Sequence, residues 1–405
     1  MKLLFITGAY PNEIITELQQ YSTLGVQNAP NTFQWAIIDG LVQNCVDFEV
    51  ISCPFLPAYP IHFKKRRISN SPLLYYEKTV GEMLSYDNLF LFKTRSIQNS
   101  IQQSVAQWIK KNESTDEELI VLTYTPYYPF ILALKQFQIN NRVKVVSIVT
   151  DLVDDMMNFK TNRSILKRIQ CWYEKKITKF SYRYIDKFVL LTKAMEERIP
   201  QSIGNNIVIE GIAALHDDLQ IKKTNWPRSF VYTGTLESFS CVDRLVTAFM
   251  KIKDDNIKLI ICGAGPLESM IKSAAEKDNR IDFRGLVSRE ESTLLQHNAT
   301  ILVNPRKPDG GITKYSFPSK TMEYLASGTP MIGYKLEGIP EDYYQYYFTV
   351  DSNEEESLIH TMKYAISLSQ IELDKRAKNA YNFIKEYKNS RIQVKKILDY
   401  IEQND

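Results

Sequence analysis

The segment Asn304-Pro305-Arg306, followed by Lys314-Tyr315-Ser316-Phe317-Pro318-Ser319-Lys320-Thr321-Met322-Glu323-Tyr324, gathers three cations and one carboxylate around an apparent helix start. Pro318 and Ser319 open the helix, with Ser319 as the expected N-cap. Lys320 and Glu323 are three apart and share one face of the first turn. A cation beside free backbone N–H groups suits a diphosphate. A carboxylate one turn deeper suits the vicinal hydroxyls of a ribose, because it accepts from both. The same residues also describe a surface i, i+3 ion pair beside a capped turn, and spacing alone leaves both readings open.

A second candidate is Leu259-Ile260-Ile261-Cys262-Gly263-Ala264-Gly265-Pro266-Leu267-Glu268, a buried strand running through Gly-x-Gly into a helix. Glycines there permit a tight turn and a close backbone approach to phosphate, and the helix N-terminus adds N–H groups and a positive dipole end. Pro266 suits the first helical position, where its missing N–H costs nothing. A dinucleotide fingerprint requires a small residue where Glu268 stands, so this is not an NAD site. It is either a ligand-facing loop or a plain strand-to-helix turn.

Other chemistries lack their residues. There is no Asp-x-Asp for a metal-carboxylate route, and the four histidines, His62, His216, His297 and His360, stand far apart. No His-Glu-x-x-His, no Gly-Lys-Ser/Thr phosphate loop and no Gly-x-Ser-x-Gly elbow occurs. No metal and no cofactor is expected.

These segments must be carried by strands and helices, and the pattern supplies them. Strand-like runs are expected at Leu3–Thr7, Phe48–Ser52, Leu119–Thr123, Val143–Val149 and Lys187–Leu191, and again at Ser229–Thr233, Ile257–Cys262, Ile281–Phe283, Ala299–Val303 and Pro330–Tyr334. Helix-period stretches alternate with them: Thr32–Asn44, Ile97–Lys111, Ile165–Tyr182, Val242–Ile252, Leu267–Glu276, Arg289–Gln296 and Lys320–Ala326. This alternation predicts an α/β chain with parallel sheets and right-handed crossovers. At 405 residues the chain has room for two or three domains. Pro200, Gly204, Gly211 and Pro227 place a hinge between Ile199 and Trp226. The expected domains are 1–205 and 206–384. A long charged amphipathic segment, Leu373–Glu402, either completes the second domain or returns to the first, through a helix at about 385–405.

A hydrophobic content of 44%, a charged content of 24% and a net charge of +3 describe an ordinary globular protein, and argue against nucleic acid as a partner. The first apolar run stops at Gly8 and Pro11, which reads as a buried strand rather than a signal peptide. The five scattered cysteines fit a reducing compartment, so a cytoplasmic location is expected.

Four motifs, in one order across about residues 230 to 335, carry a resemblance. They are Tyr232-Thr233-Gly234-Thr235-Leu236 through Val242-Asp243-Arg244-Leu245; Gly263 to Leu267; Phe283-Arg284-Gly285-Leu286-Val287-Ser288; and Asn304-Pro305-Arg306 with Pro318-Ser319-Lys320 to Gly328-Thr329-Pro330. Together they resemble the donor domain of retaining family-four glycosyltransferases of the GT-B fold. The block Phe317 to Leu325 is similar to members that build bacterial capsular or exopolysaccharide repeat units. The resemblance implies two Rossmann-like domains facing across a cleft. It further implies transfer of a hexose, with retention, from a nucleotide-sugar co-substrate to a glycan or lipid-linked glycan. The choice of a UDP-sugar follows its frequency in the family.

Carried over by position, the resemblance implies that Glu323 binds the donor ribose. Gly263, Gly265, Pro266 and Leu267 would lie near the diphosphate, and the backbone at Leu286 and Val287 near the base. Gly234, Thr235, Ser316 and Ser319 complete the expected donor site. Tyr315 stands where the family often has a first glutamate, Thr235 where it often has an arginine, and Ser240-Cys241 where it often has lysine-glycine. Charge then leaves Lys320 and Arg306 to neutralise the leaving diphosphate. In the first half, Gly8-Ala9-Tyr10-Pro11, Tyr124 and Asp151 follow strands, and so are expected to face an acceptor. Asp151 either binds a sugar hydroxyl, as a third catalytic candidate, or caps a helix.

Between residues 163 and 187, Arg163, Lys167, Arg168, Lys175, Lys176, Lys179, Arg183 and Lys187 interleave with Trp172, Tyr173, Phe180, Tyr182 and Tyr184. This describes a peripheral contact with the inner face of a membrane, or a helix with aromatics in the core and a solvated basic face. Two rival functions stand beside the transferase: a non-catalytic nucleotide- or glycan-binding partner of a transferase, and a sugar-nucleotide epimerase of the same fold.

Overall fold

Short runs of β-branched and aromatic residues, buried on both faces, have no polar side to give to water and assemble as parallel strands under helices. In the computed structural model, residues 1–23, 28–154, 165–213, 215, 227–309 and 311–403 are described. The chain forms two compact units, Met1–Ile212 with Ser390–Asp405, and Ala213–Asn389. Much of the expected hinge, including His216 and Trp226, lies outside the described residues, as does Arg163.

The first unit contains β1 (Lys2–Thr7), β2 (Phe48–Ser52), β3 (Arg67–Ile68), β4 (Ser71–Tyr75), β5 (Lys78–Met83), β6 (Tyr86–Asp87), β7 (Leu119–Tyr124), β8 (Lys144–Val149), β9 (Lys187–Leu190) and β10 (Asn206–Val208). Eight of these form one sheet in the order β10-β9-β8-β7-β1-β2-β5-β4, while β3 and β6 pair separately. All neighbours in the large sheet run parallel except β4 and β5. Its helices include α1 (Ile15–Tyr21), α2 (Asn28–Gln43), α3 (Lys93–Lys111), α4 (Tyr128–Ile139) and α5 (Ile165–Ser181). The β4–β5 hairpin was not expected. Its turn places Tyr76 at φ 43° and Glu77 at φ 66°, left-handed positions that glycine or asparagine usually announces.

The second unit is a six-stranded parallel sheet of β11 (Arg228–Thr233), β12 (Ile257–Cys262), β13 (Ile281–Gly285), β14 (Ile301–Asn304), β15 (Met331–Tyr334) and β16 (Phe348–Val350). The order β13-β12-β11-β14-β15-β16 is that of a doubly wound α/β domain. The winding reverses between β11 and β14, and ligands of such sheets sit at the C-terminal strand ends beside that reversal. Helices α6 (Val242–Met250), α7 (Glu268–Lys277), α8 (Arg289–Asn298), α9 (Ser319–Ala326), α10 (Glu355–Ser367) and α11 (Gln370–Tyr387) belong to this unit.

The amphipathic tail, expected as one segment, is two helices. Helix α11 starts at a capping box in which Ser369 and Glu372 satisfy each other's backbone N–H, and it ends at Lys388. Helix α12 (Ser390–Glu402) belongs to the first unit and α11 to the second. Helix α12 buries Val394, Ile397, Leu398 and Ile401. Gly40 of α2 makes room for it, since a Cβ there would lie 2.3 Å from Val394 and 2.5 Å from the Ser390 carbonyl. The far end is held by Lys187, which is 2% exposed. Its ammonium donates to the carbonyls of Tyr400 (3.2 Å) and Gln403, groups that no further helical turn would satisfy. Replacing Lys187→Met keeps the volume but strands these carbonyls. The expected loss is about 1.5–3 kcal/mol by denaturant titration, with faster amide exchange concentrated in α12.

Candidate functional site

Three loops at the C-terminal strand ends of the second unit are stitched backbone to backbone. Gly234 N donates to Cys262 O (2.9 Å), Leu236 N to Ala264 O (3.0 Å), Leu267 N to Leu236 O (3.1 Å) and Gly263 N to Gly285 O (2.7 Å). Such contact leaves no room for side chains. A Cβ on Gly263 would lie 1.7 Å from the Gly234 carbonyl, and one on Gly265 would lie 2.7 Å from Leu236 backbone. Both glycines also sit at φ near +150°. The Gly-x-Gly of the sequence therefore serves loop-on-loop packing.

Two local expectations are corrected at this loop. Helix α7 begins at Glu268 with Leu267 as its N-cap, so Pro266 precedes the helix rather than opening it. The Gly265 N–H donates to the Glu268 carboxylate (3.2 Å), so this helix start already carries its own anion.

The centre of the site is Lys320, in the first turn of α9. Its Nζ lies 5.3 Å over the ring of Tyr232 and against the bare Cα of Gly234, where a Cβ would be 1.7 Å away. Among the described residues it has no hydrogen bond and no ion pair. Burial lowers its pKa, partly offset by the charge of Glu323. The two are thus not the bonded surface pair that their spacing also allowed. Glu323 is exposed, and its Oε1 accepts from Gln296 Nε2 at 2.7 Å. The same amide donates to Thr233 Oγ1 at 2.8 Å. The buried Tyr324 hydroxyl accepts from Thr233 N at 2.9 Å, which ties α9 to the end of β11.

Arg306, on the loop after β14, lies with its guanidinium 5.7 Å over Phe239. Burial lowers its pKa, while Asp309 pulls the other way. Asp309 itself accepts from the backbone of Gly311 and Thr313 and from the Thr313 hydroxyl, which shapes this loop. Two cations with incomplete local pairing therefore stand near the winding reversal, beside an exposed carboxylate. That arrangement can bind a diphosphate and a diol.

The remaining expected donor residues are placed as follows. Ser319 is the exposed first residue of α9, and the N-cap is Pro318, which has no side chain to cap with. The Ser316 hydroxyl donates to Ile312 O (3.3 Å). Thr235 is exposed, its carbonyl accepting from the Tyr232 hydroxyl at 2.7 Å. Leu286 is 82% exposed and Val287 is half-buried, just after Gly285 at φ 66°.

In the first unit, Gly8 and Ala9 follow β1 and Tyr124 is the last residue of β7, but all three are buried. Gly8 N donates to the Gln34 side chain (2.7 Å), and a Cβ on Gly8 would strike Phe55 at 2.3 Å. Tyr124 is packed against Phe33 and Phe55, and burial pushes its hydroxyl pKa far up. Of the expected acceptor residues only Asp151 is exposed.

Helix α5 exposes Ile169, Trp172, Tyr173 and Phe180. They fall at i, i+3, i+4 and i+11, hence on one face. Lys176 lies 5.9 Å over Trp172, and Arg183 lies 4.1 Å over Phe180. Lys175 and Lys179 both pair with Asp154. Tyr182 and Tyr184 are buried, so only part of the aromatic set belongs to the core. Among the described residues no helix is long and apolar enough to cross a membrane, and no cluster of three His, Cys, Asp or Glu is arranged to hold a metal.

Sequence reasoning missed Gln296, Tyr232 and Phe239 as parts of the site. Gln296 carried a signal, since it is a polar residue that helical periodicity turns inward beside Leu295. Tyr232 stands in the first of the four motifs without an assigned role, and Phe239 carried no signal.

Residues 227–367 match the family described as Glycosyl transferases group 1. No curated protein sequence matches the chain. Solved structures resemble it over their whole length. The lipopolysaccharide outer core galactosyltransferase WaaB is 14% identical, with 99% of each chain covered and a TM-score of 0.60. The sucrose-phosphate synthase from Thermosynechococcus elongatus is 13% identical, covering 100% of this chain and 99% of its own, at 0.63. HepE from Anabaena, solved in complex with UDP-glucose, is 13% identical, with 99% of each chain covered, at 0.61. The fold is therefore GT-B, with two Rossmann-like domains.

An unpaired, partly desolvated cation costs stability that a ligand would return. Because folding lowers the Lys320 pKa, the folded state holds this proton less tightly than the unfolded chain. Stability of the ligand-free protein therefore rises with pH between the folded pKa and the ordinary lysine value. Lys320→Met is expected to stabilise the ligand-free protein by about 0.5–2 kcal/mol near neutral pH and to remove this share of the pH dependence. Denaturant titrations from pH 7 to 10 measure both; a destabilised variant with unchanged pH dependence would refute the assignment.

Proposed function

We propose that this protein is a glycosyltransferase that moves a hexose from a nucleoside-diphosphate sugar to a glycan or lipid-linked glycan hydroxyl. The observation that carries the reading is Lys320, a cation without a partner among the described residues, held beside the exposed carboxylate of Glu323 at the winding reversal. The match of residues 227–367 to Glycosyl transferases group 1 supports the same conclusion. HepE, of like fold, was solved with UDP-glucose, which favours a UDP-sugar here.

The chemistry is leaving-group stabilisation. The acceptor hydroxyl oxygen bonds to the sugar anomeric carbon and gives up its proton to the departing diphosphate, as the bond from that carbon to the diphosphate breaks with its electrons on the phosphate oxygen. Lys320 and Arg306 neutralise that growing charge. Glu323 accepts from the ribose hydroxyls, and the backbone at Leu286 and Val287 meets the base. Asp151, exposed after β8, accepts from a sugar hydroxyl. Retention of configuration, independence of metal and a place in surface-polysaccharide assembly belong to the same proposal and follow the sequence resemblance. One observation favours a second reading, a non-catalytic nucleotide-binding partner. The loop after β11 carries Thr235 and a Ser240 whose hydroxyl is spent on Glu237 O, so it supplies no cation to the phosphates.

A thermal-shift panel of UDP, GDP, ADP, CMP and dTDP with UDP- and GDP-sugars tests the reading, because a ligand that binds only the folded state raises the melting temperature. One nucleotide family is expected to do so, Lys320→Ala to abolish the shift and Glu323→Ala to reduce it. Absence of any shift in folded protein would sink the transferase. A shift with neither acceptor-dependent turnover nor donor hydrolysis would favour the binding partner.

A lipid-linked acceptor requires contact with a bilayer, and α5 offers one. Its exposed Ile169, Trp172, Tyr173 and Phe180 are flanked by Arg168, Lys176 and Arg183. Apolar insertion beside cations suits anionic lipid at the cytoplasmic face. Flotation with phosphatidylglycerol vesicles is expected to recover the wild type. The double variant Trp172→Ser, Tyr173→Ser is expected to lose at least about tenfold in partitioning, since burying one aromatic contributes about 1.5–3 kcal/mol. Equal flotation of both would remove the contact from the proposal.

A further inference from the structure

Gln296 is 3% exposed, yet it sits at the edge of the donor site and both of its side-chain N–H bonds are committed. One goes to Glu323 Oε1 (2.7 Å) and the other to Thr233 Oγ1 (2.8 Å), with Ser292 Oγ a longer third acceptor at 3.4 Å. The orientation of the amide is dictated by chemistry. An ionised carboxylate only accepts, so the reversed amide would press its carbonyl against Glu323. The main chain of the same residue accepts from Thr329 Oγ1 (2.8 Å), just past the C-terminal end of α9. Residue 296 thus grips α9 at its first turn and beyond its last. Thr233, the second anchor, is fixed by Tyr324, so the amide has a rigid backing.

We propose that Gln296 is a positioning residue for nucleotide recognition: it locks the Glu323 carboxylate in the rotamer that receives the ribose hydroxyls. The inference rests on the assignment of Glu323 to the ribose. An exposed glutamate left free would populate several rotamers and would lose their entropy on binding. With Oε1 anchored, Oε2 and the remaining lone pair of Oε1 present one fixed acceptor edge. Gln296 touches neither nucleotide nor sugar in this scheme. Its loss should weaken selection for ribose hydroxyls, and leave contacts to base and phosphate unchanged.

The test is the ratio of affinities for UDP and 2′-deoxy-UDP, repeated with GDP and 2′-deoxy-GDP, by calorimetry on the full chain. Wild type is expected to prefer the ribonucleotide about tenfold, the worth of one good hydrogen bond to a carboxylate. Gln296→Met, matched in length and lacking donors, should bring the ratio within about twofold of one, while affinity for the deoxynucleotide stays the same. Gln296→Asn keeps the amide but falls a methylene short, and should do the same should the methionine variant fail to fold. A purely structural role would weaken both nucleotides equally and preserve the ratio, which would overturn the proposal. Glu323→Ala separates the two layers. If it abolishes the preference while both Gln296 variants retain it, the positioning role fails and the ribose assignment survives. If Glu323→Ala retains the preference, or wild type shows none, both fall.

Discussion

Everything at the proposed site depends on one steric constraint: Gly234, Gly263 and Gly265 have no side chains, so loops from neighbouring strands touch through backbone. That contact brings the ends of β11 and β12 together and leaves a slot above Tyr232. Lys320 enters the slot because Gly234 has no Cβ to oppose it. The glycines usually credited with approaching phosphate act here first on the protein itself, by admitting a cation. The strand order explains why this occurs at β11, since the helices diverge where the winding reverses.

The cation then sets the electrostatics. Lys320 has lost water on entering the slot and gained in return a ring face and a carboxylate that does not bond to it. Arg306 is in a similar state, resting on Phe239 with Asp309 as a distant counter-charge. Neutralising either cation with a bonded acid would make the fold more stable and the site useless for anions. Glu323 escapes this role because Gln296 holds one of its oxygens away on the side of Thr233. The site is thus a set of charges kept from pairing by neutral donors and aromatic faces.

How much of this was legible depends on the range of the interaction. The strands were readable because burial on both faces writes itself into consecutive residues, as at Leu3–Thr7 and Val145–Val149. The charges of the Arg306 to Glu323 block were readable for the same reason, being close in sequence. What sequence concealed was decided across it. Gln296 meets Glu323 from another helix, and Lys320 meets Gly234 from 86 positions away. The Ser319 cap was misread because Pro318 already occupies the turn geometry that a cap requires. The β4–β5 hairpin was missed because tyrosine and glutamate take the left-handed positions. The tail misled because Lys388 and Asn389 interrupt a periodicity that otherwise continues across two units.

The start of α7 has a consequence for which groups can meet a diphosphate. A helix N-terminus attracts anions through its unpaired N–H groups, and Glu268 has taken that place, accepting from Gly265 N. Lys272 lies 3.7 Å from the same carboxylate and adds to its hold. A nucleotide phosphate approaching this end would meet a negative charge and would have to displace it. No such competitor bonds Lys320. In the proposed donor site a diphosphate would therefore gain more at the Lys320–Arg306 side than at the Gly-x-Gly side. In the proposed donor site, the loop that looks like a phosphate cradle mainly builds the wall, and the lysine behind it is left to meet the charge.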